Sequence, residues 1–178
     1  SESSPRLLDV CQERDYLATD DYALAKAREE NLLFGSGRKN YTVVRPYITF
    51  NDSRLQLGVY EKEVWLQRVL KGRSLVFSRD IGRAVTTLTY GADVSLGISG
   101  LLCNSRALGE VFHIATAQSF RWEEVLQVYL DVLEEKLGGR PEVKWTDTSL
   151  NLKLDRASFQ VKYDRLLNRR FDNGKILS

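Results

Sequence analysis

Tyr22, Lys26 and Glu30 follow one another at intervals of four in the segment DYALAKAREEN. On a helix that spacing lines all three along one stripe, each a turn from the next. A phenol beside an ammonium is a proton-transfer pair. The positive charge favours the phenolate and draws the tyrosine down from its usual pKa of about 10, towards the range of a working general acid or base. The same spacing is common on solvated faces, where Lys and Glu form an ordinary ion pair, so the chemistry depends on the elements that hold the trio.

Those elements are legible in part. Asp20 or Asp21 is a suitable N-cap for a helix from about Tyr22 through YALAKAREENLLF, stopped by Gly35 and Gly37. The nineteen residues before Asp20 carry little periodicity and read as an irregular lead-in. Residues 41–47, YTVVRPY, form a short buried strand that ends at Pro46. EKEVWLQRVLKG follows as an amphipathic helix with Val64, Trp65, Val69 and Leu70 on one side, then strands at 74–77 and 85–90. Asp93 caps a helix whose Gly97, Ser99 and Gly100 permit close packing. Residues 110–116, EVFHIAT, are a further buried strand, and Ser119 caps the longest helix, with Val125, Val128, Tyr129, Val132, Leu133 and Leu137 on its buried face. EVKW, 142–145, is a short strand, and the basic tail begins helical and breaks at Asn173-Gly174. Helices alternating with buried strands indicate an α/β class.

Composition narrows the function. The chain has 178 residues, 43% hydrophobic and 28% charged, which suits one domain with a real core. Its 26 basic and 24 acidic residues are interspersed, so no basic face for nucleic acid is indicated. No apolar run nears the roughly 20 residues that span a bilayer, and Ser-Glu-Ser-Ser-Pro lacks the basic and apolar regions of a signal peptide, giving a reading of soluble and cytoplasmic, with no membrane partner. Cys11 and Cys103 lie far apart and His113 has no neighbour at metal spacing, so no metal site is expected. His113, Trp65, Trp122 and Trp145 read as core, Cys103 as an inert buried thiol, and Arg169-Arg170 as a solvated helix end. The absence of methionine, even at position 1, suggests a fragment or a processed product.

The order of short motifs adds a further reading. Tyr22-x-x-x-Lys26-x-x-x-Glu30 is followed by a strand ending Val43-Val44-Arg45-Pro46, then Tyr90-x-x-Asp93-Val94, then Val111-Phe112-His113-Ile114, then a helix led by Ser119, and finally Asp172-Asn173-Gly174-Lys175. This string resembles the carboxy-terminal half of extended short-chain dehydrogenases/reductases, the NAD-dependent epimerase/dehydratase family acting on nucleotide sugars. The family shows a Tyr-x-x-x-Lys helix with a following glutamate, an Arg-Pro strand, a Tyr-x-x-Asp-Val helix start, a Val-Phe-Asn-Ile strand and a late Asp-x-Ser-Lys turn.

The resemblance implies the C-terminal part of a Rossmann-type fold with a small substrate-binding lobe. Residues 1–50 would end the nucleotide-binding core, and 51–178 would be mainly the lobe, with 93–116 returning to the core sheet. Tyr22 would be the acid/base, and Lys26 would lower its pKa and bind the nicotinamide ribose of NAD or NADP. Backbone groups after Pro46, at Tyr47 and Ile48, would lie near the carboxamide. Asn51, Arg54 and Gln56 stand where the family begins to contact the sugar nucleotide, and Arg54, Arg83 and Arg165 offer forks suited to a diphosphate. The family also implies a homodimer through the Tyr-x-x-x-Lys helix. The alternative is a non-catalytic domain of the same ancestry that senses a dinucleotide or scaffolds a partner.

Departures limit the transfer. Tyr47-Ile48-Thr49-Phe50 replaces the family's Tyr-Gly-Pro ending, and Thr86 stands where an arginine is common. No glycine-rich phosphate-binding turn exists in the sequence, so the chain reads as the substrate-binding part of a larger enzyme. Ser3 and Ser4 come into question as the hydroxyl that orients substrate, although Ser-Glu-Ser-Ser-Pro reads as a loop.

Overall fold

The computed structural model of the chain describes residues 1–149 and 158–178; residues 150–157, part of the expected lobe, lie outside the described residues. In chain order the elements are α1 (Leu7–Val10), α2 (Arg14–Leu17), α3 (Tyr22–Gly35), β1 (Thr42–Pro46), β2 (Thr49–Phe50), α4 (Lys62–Leu70), β3 (Leu75–Ser78), α5 (Arg79–Arg83), β4 (Val85–Thr86), β5 (Thr89–Tyr90), α6 (Gly91–Leu101), β6 (Glu110–Ile114), β7 (Phe120–Arg121), α7 (Trp122–Leu137), β8 (Val143–Thr146), α8 (Ser158–Gln160) and α9 (Gly174–Leu177). They form two compact units. The first holds Ser1–Tyr47, Thr89–Thr116 and Phe171–Ser178, and the second Ile48–Leu88 and Ala117–Arg170. Residues 171–178, which the sequence reading leaves with the lobe, thus pack in the first unit.

In the first unit β1 and β6 run parallel, in register from Thr42 opposite Glu110 to Pro46 opposite Ile114. Pro46, with no N–H to donate, closes the ladder. α6 approaches this pair closely at Gly97, where a Cβ would meet Ile114 Cδ1 at 3.0 Å, so a side chain there would require Ile114 to shift by a few tenths of an ångström. Gly100 has open space around it, so of these two glycines Gly97 is the one at a close approach. The final segment straps β6: Asn173 Nδ2 donates to the Ala115 carbonyl at 3.0 Å, and Lys175 Nζ reaches Glu110 and the Val111 carbonyl.

The lead-in is ordered, contrary to its sequence reading. Arg6 and Asp9 close a capping box around α1, and Tyr16, 1% exposed, donates its hydroxyl to Asp21. Asp21 also accepts from Ala23 N–H as the N-cap of α3. A single carboxylate thereby seats the lead-in and starts the helix that carries Tyr22.

The second unit has its own core of Leu57, Trp65, Val69, Phe77, Ile81 and Trp122 with the inner face of α7. β3 and β8 pair in parallel, and β4 pairs antiparallel with β7. That last pairing carries the chain two residues past Ser119 before α7 begins. Arg121 is therefore the N-cap, its N–H accepted by Glu124 at 2.6 Å, while Ser119 hydrogen-bonds Thr87 instead. The strand expected over 85–90 divides into β4 and β5, and Asp93 sits in the first turn of α6, which begins at Gly91.

Two helical faces also differ from expectation. α7 buries Trp122, Val125, Leu126, Leu130 and Leu133, whereas Val128, Val132 and Leu137 are exposed. α4 buries Trp65 and Val69 and exposes Val64 and Leu70. In both helices a buried tryptophan fixes the rotation, stacked on Tyr129 for Trp65 and under the Arg165 guanidinium for Trp122. Trp145 is only partly covered, edge-on to Phe77 and capped by Arg79. Cys103 is exposed, at φ 57°, so it is not the buried thiol expected. Arg169 is anchored by its backbone to Val85 and by its side chain to Asp164 rather than solvated.

Candidate active site

The first unit carries Tyr22, Lys26, Pro46 and Tyr47. Asp21 places Tyr22 as the first residue of α3, with its side chain 76% exposed. Lys26 follows one turn on, its Nζ 5.8 Å from the centre of the Tyr22 ring. The ammonium also holds Glu29 at 2.7 Å, and that contact raises the lysine pKa above its ordinary value. Pro46 is exposed at the end of β1, and the Tyr47 ring packs on Phe171 at 4.7 Å between centres. Pro46 and Tyr47 stand at the carboxyl end of β1, on the side of the parallel pair where open α/β sheets present ligands.

Glu30 is not part of the Tyr22–Lys26 pair. Its carboxylate takes a two-pronged contact from Arg45, at 2.8 and 2.6 Å, and a third bond from Arg6 at 3.1 Å. Burial alone would raise its pKa, but the two guanidinium groups outweigh that and hold it below the usual carboxylate range. Arg6 lies in the segment that the sequence presents as irregular, so nothing local announces this contact.

His113 is buried, as expected, but one nitrogen is unsatisfied: Nδ1 has no partner among the described residues. Burial depresses its pKa, with Glu2 pulling the other way. Ser3 and Ser4 sit in an exposed N-terminal turn with Ser1.

The second unit carries the remaining candidates. Ile48 has φ 30°, a strained conformation for a β-branched residue, directly after the Pro46-Tyr47 pair. Asn51 accepts from the N–H groups of Ser53 and Arg54 and so shapes the following turn. Arg54, Gln56 and Arg165 are brought together through Glu61, which no sequence signal singled out. Arg54 and Gln56 both donate to Glu61 Oε1, at 3.3 and 2.7 Å, and Arg165 donates to Gln56 Oε1 at 3.1 Å. Arg165 is 3% exposed and also serves the Gly58 carbonyl and Asp164. Its donors thus face protein acceptors. Arg83 ends α5, exposed and without a partner among the described residues. Thr86, which replaces the family's arginine, is fully buried, with no partner for its hydroxyl among the described residues. Tyr129 is no proton-transfer rival to Tyr22, because burial pushes its pKa up to about 12 and its hydroxyl is bonded to the Gln56 carbonyl.

No protein-family description and no curated protein matches the sequence. Solved structures do match. UDP-glucose 4-epimerase of Thermus thermophilus, solved with NAD, covers 88% of this chain at TM-score 0.59 and 19% identity. The dTDP-glucose 4,6-dehydratase DesIV of Streptomyces venezuelae covers 86% at TM-score 0.58 and 17% identity. UDP-glucose 4-epimerase of Thermotoga maritima, solved with UDP-glucose, covers 86% at TM-score 0.56 and 18% identity. The chain shares the fold of these enzymes over most of its length. The chain spans less than half of these structures, 46%, 42% and 44% of their respective lengths. At such identities the likeness is one of fold, and the chemistry must be argued from the residues. Among the described residues no helix is long and apolar enough to cross a membrane.

Proposed function

We propose that this chain supplies the acid/base helix and the substrate-binding portion of an NAD(P)-dependent nucleotide-sugar epimerase, dehydratase or reductase. The observation that carries the reading is the Tyr22–Lys26 pair, an exposed phenol with an ammonium 5.8 Å from its ring, on a helix of this fold. Tyr22 Oη would take a proton from a sugar hydroxyl and return it. Lys26 would support the negative charge left on the phenol oxygen. The nicotinamide cofactor, when bound, supplies a hydride acceptor and donor. The residues present fit its nicotinamide-ribose end, since Lys26 is half-exposed and able to reach a ribose hydroxyl, with the backbone at Pro46, Tyr47 and Ile48 for the carboxamide. They do not fit its pyrophosphate, for which the sequence has no glycine-rich turn. In the sugar-nucleotide site, Arg83 and Arg54 are the exposed guanidinium groups for a diphosphate, Asn51 and Gln56 shape the loop, and Arg165 acts through Gln56. Exposed Leu32 and Phe34 on α3 favour a homodimer through that helix, which light scattering of the intact protein would read as twice the monomer mass.

The test is turnover of a panel of UDP- and dTDP-sugars with NAD or NADP by the intact polypeptide. Tyr22→Phe should lower kcat by about a hundredfold or more while sugar-nucleotide binding is retained. Unchanged turnover removes Tyr22 from the chemistry. The grip of Glu29 on Lys26 favours a second reading, a non-catalytic dinucleotide-sensing or scaffold domain, which predicts binding without turnover in both proteins.

A further inference from the structure

Resting on that reading, we infer that Glu30 is a positioning residue: clamped between Arg45 and Arg6, it fixes where the Tyr22–Lys26 helix stands along the strand that ends in Pro46 and Tyr47. Elsewhere along α3, Arg28 donates to the Leu17 and Thr19 carbonyls at 2.6 and 2.8 Å, which ties the helix to the lead-in and not to β1. The helix buries only Leu24 and Ala27, a small apolar contact without directional preference, and its remaining large side chains Leu32, Leu33 and Phe34 are exposed. The Glu30 contacts are directional. Arg45 sets Nε and Nη2 against the two carboxylate oxygens at 2.8 and 2.6 Å, a planar fork-to-fork arrangement that fixes distance and angle together. Arg6 adds Nη1 to Glu30 Oε2 at 3.1 Å and to the Ala27 carbonyl of the same helix at 3.0 Å, and Nη2 to Asn31 Oδ1 at 2.7 Å.

The clamp is balanced and partly shielded. Glu30 and Asp9 together neutralise Arg6 and Arg45, and the Glu30 side chain is 13% exposed with its arginines at 20% and 21%. Its strand end lies where it matters. Arg45 directly precedes Pro46, stands opposite His113 in β6, and reaches the Glu2 carbonyl with its remaining nitrogen. Two turns of helix separate Glu30 from Tyr22, so a slide at the clamp is a slide of the phenol relative to the end of β1. A displacement of about 1 Å at a reacting group costs up to about a hundredfold in rate.

Glu30→Gln and Arg45→Lys in the intact polypeptide test the inference, with Tyr22→Phe beside them. Gln removes the charge that both arginines share. Lys keeps the Arg45 charge but offers a single point contact in place of the fork. With the sugar nucleotide turned over by the parent, both variants should lose about 10- to 100-fold in kcat, with KM for the sugar nucleotide within about threefold. A merely structural residue would lower the melting temperature and leave kcat of the folded fraction alone. Parental kcat in both variants, with Tyr22→Phe inactive, overturns the clamp and leaves the functional reading standing. Parental kcat in Tyr22→Phe overturns the functional reading and the inference with it. Should Glu30→Gln not fold, Arg45→Lys alone decides, since it leaves no charge unpaired.

Discussion

Single residues here divide into groups that face solvent and groups whose bonding is already spent, and the division predicts how each responds to change. Arg165 and Arg83 are both candidates for a diphosphate from sequence, yet Arg165 is buried against Trp122 and serves Gly58, Gln56 and Asp164, whereas Arg83 is exposed. Arg165→Ala should cost about 3 kcal/mol in chemical denaturation, because it strands the buried Gly58 and Gln56 acceptors and removes one of the two guanidinium groups on Asp164. Arg83→Ala should stay within about 0.5 kcal/mol and instead raise KM for a sugar nucleotide. His113 has a pH signature. Burial holds its folded pKa below the unfolded value, so the unfolded chain binds its proton first as pH falls through about 6.5, and stability declines from there down to the folded pKa. Glu2, whose own pKa burial would raise but the His113 N–H and nearby charges lower, acts below the ordinary carboxylate range and leaves this window to the histidine. Melting temperature should therefore fall between pH 7.5 and 5.5, and His113→Asn should flatten that fall. An equal fall in the variant would assign it elsewhere.

Elements show why some of this could be read from sequence and some could not. Helix α3 was legible because its start and stop are local chemistry, an aspartate before it and glycines after it. β1 and β6 were legible as buried strands from two runs of β-branched and aromatic residues, while their parallel register joins segments far apart in sequence. The rotation of α7 was not legible. Valine and leucine occur on more than one side of it, so periodicity admits two faces, and only the seat of Trp122 in the tertiary core chooses between them. Its start was missed for a related reason: the pairing of β7 with β4 is a contact distant in sequence, and it displaces Ser119 from the cap. The proximity of Tyr22 and Lys26 was legible as spacing, while the Arg6–Glu30–Arg45 contact required the folded path of the lead-in. Two substitutions check this account. Leu126→Ala should cost about 2–5 kcal/mol where Val128→Ala costs under about 0.5, and the reverse order would turn the helix round. Glu124→Ala should cost about 1 kcal/mol through the lost bond to the Arg121 N–H.

At the scale of the whole molecule the two units divide the proposed labour, with the proposed acid/base pair in one and all five sugar-nucleotide candidates in the other. The 178-residue chain matches only 46% and 42% of the lengths of two enzymes that share its fold. Cofactor affinity is where that shortfall should be measurable. A dinucleotide is held chiefly at its pyrophosphate, by N–H groups of a glycine-rich turn at a helix N-terminus, and this sequence offers none. On the proposed reading, Lys26 and the backbone beyond Pro46 would meet only the nicotinamide end. A ligand at 100 times its Kd stabilises a protein by about 2.7 kcal/mol, and at this size each kcal/mol moves the melting temperature by about 2–4 °C, so a complete site would respond with a rise of about 5–10 °C. NAD at about 1 mM added to the 178-residue chain should move it by less than about 1 °C, because the ligand concentration then lies below the Kd of a half-site. The full rise should return when a polypeptide bearing the glycine-rich turn is present in cis or in trans. A rise of several degrees in the 178-residue chain alone would mean that these residues bind the dinucleotide unaided, and the division of the site between this chain and another segment would have to be abandoned.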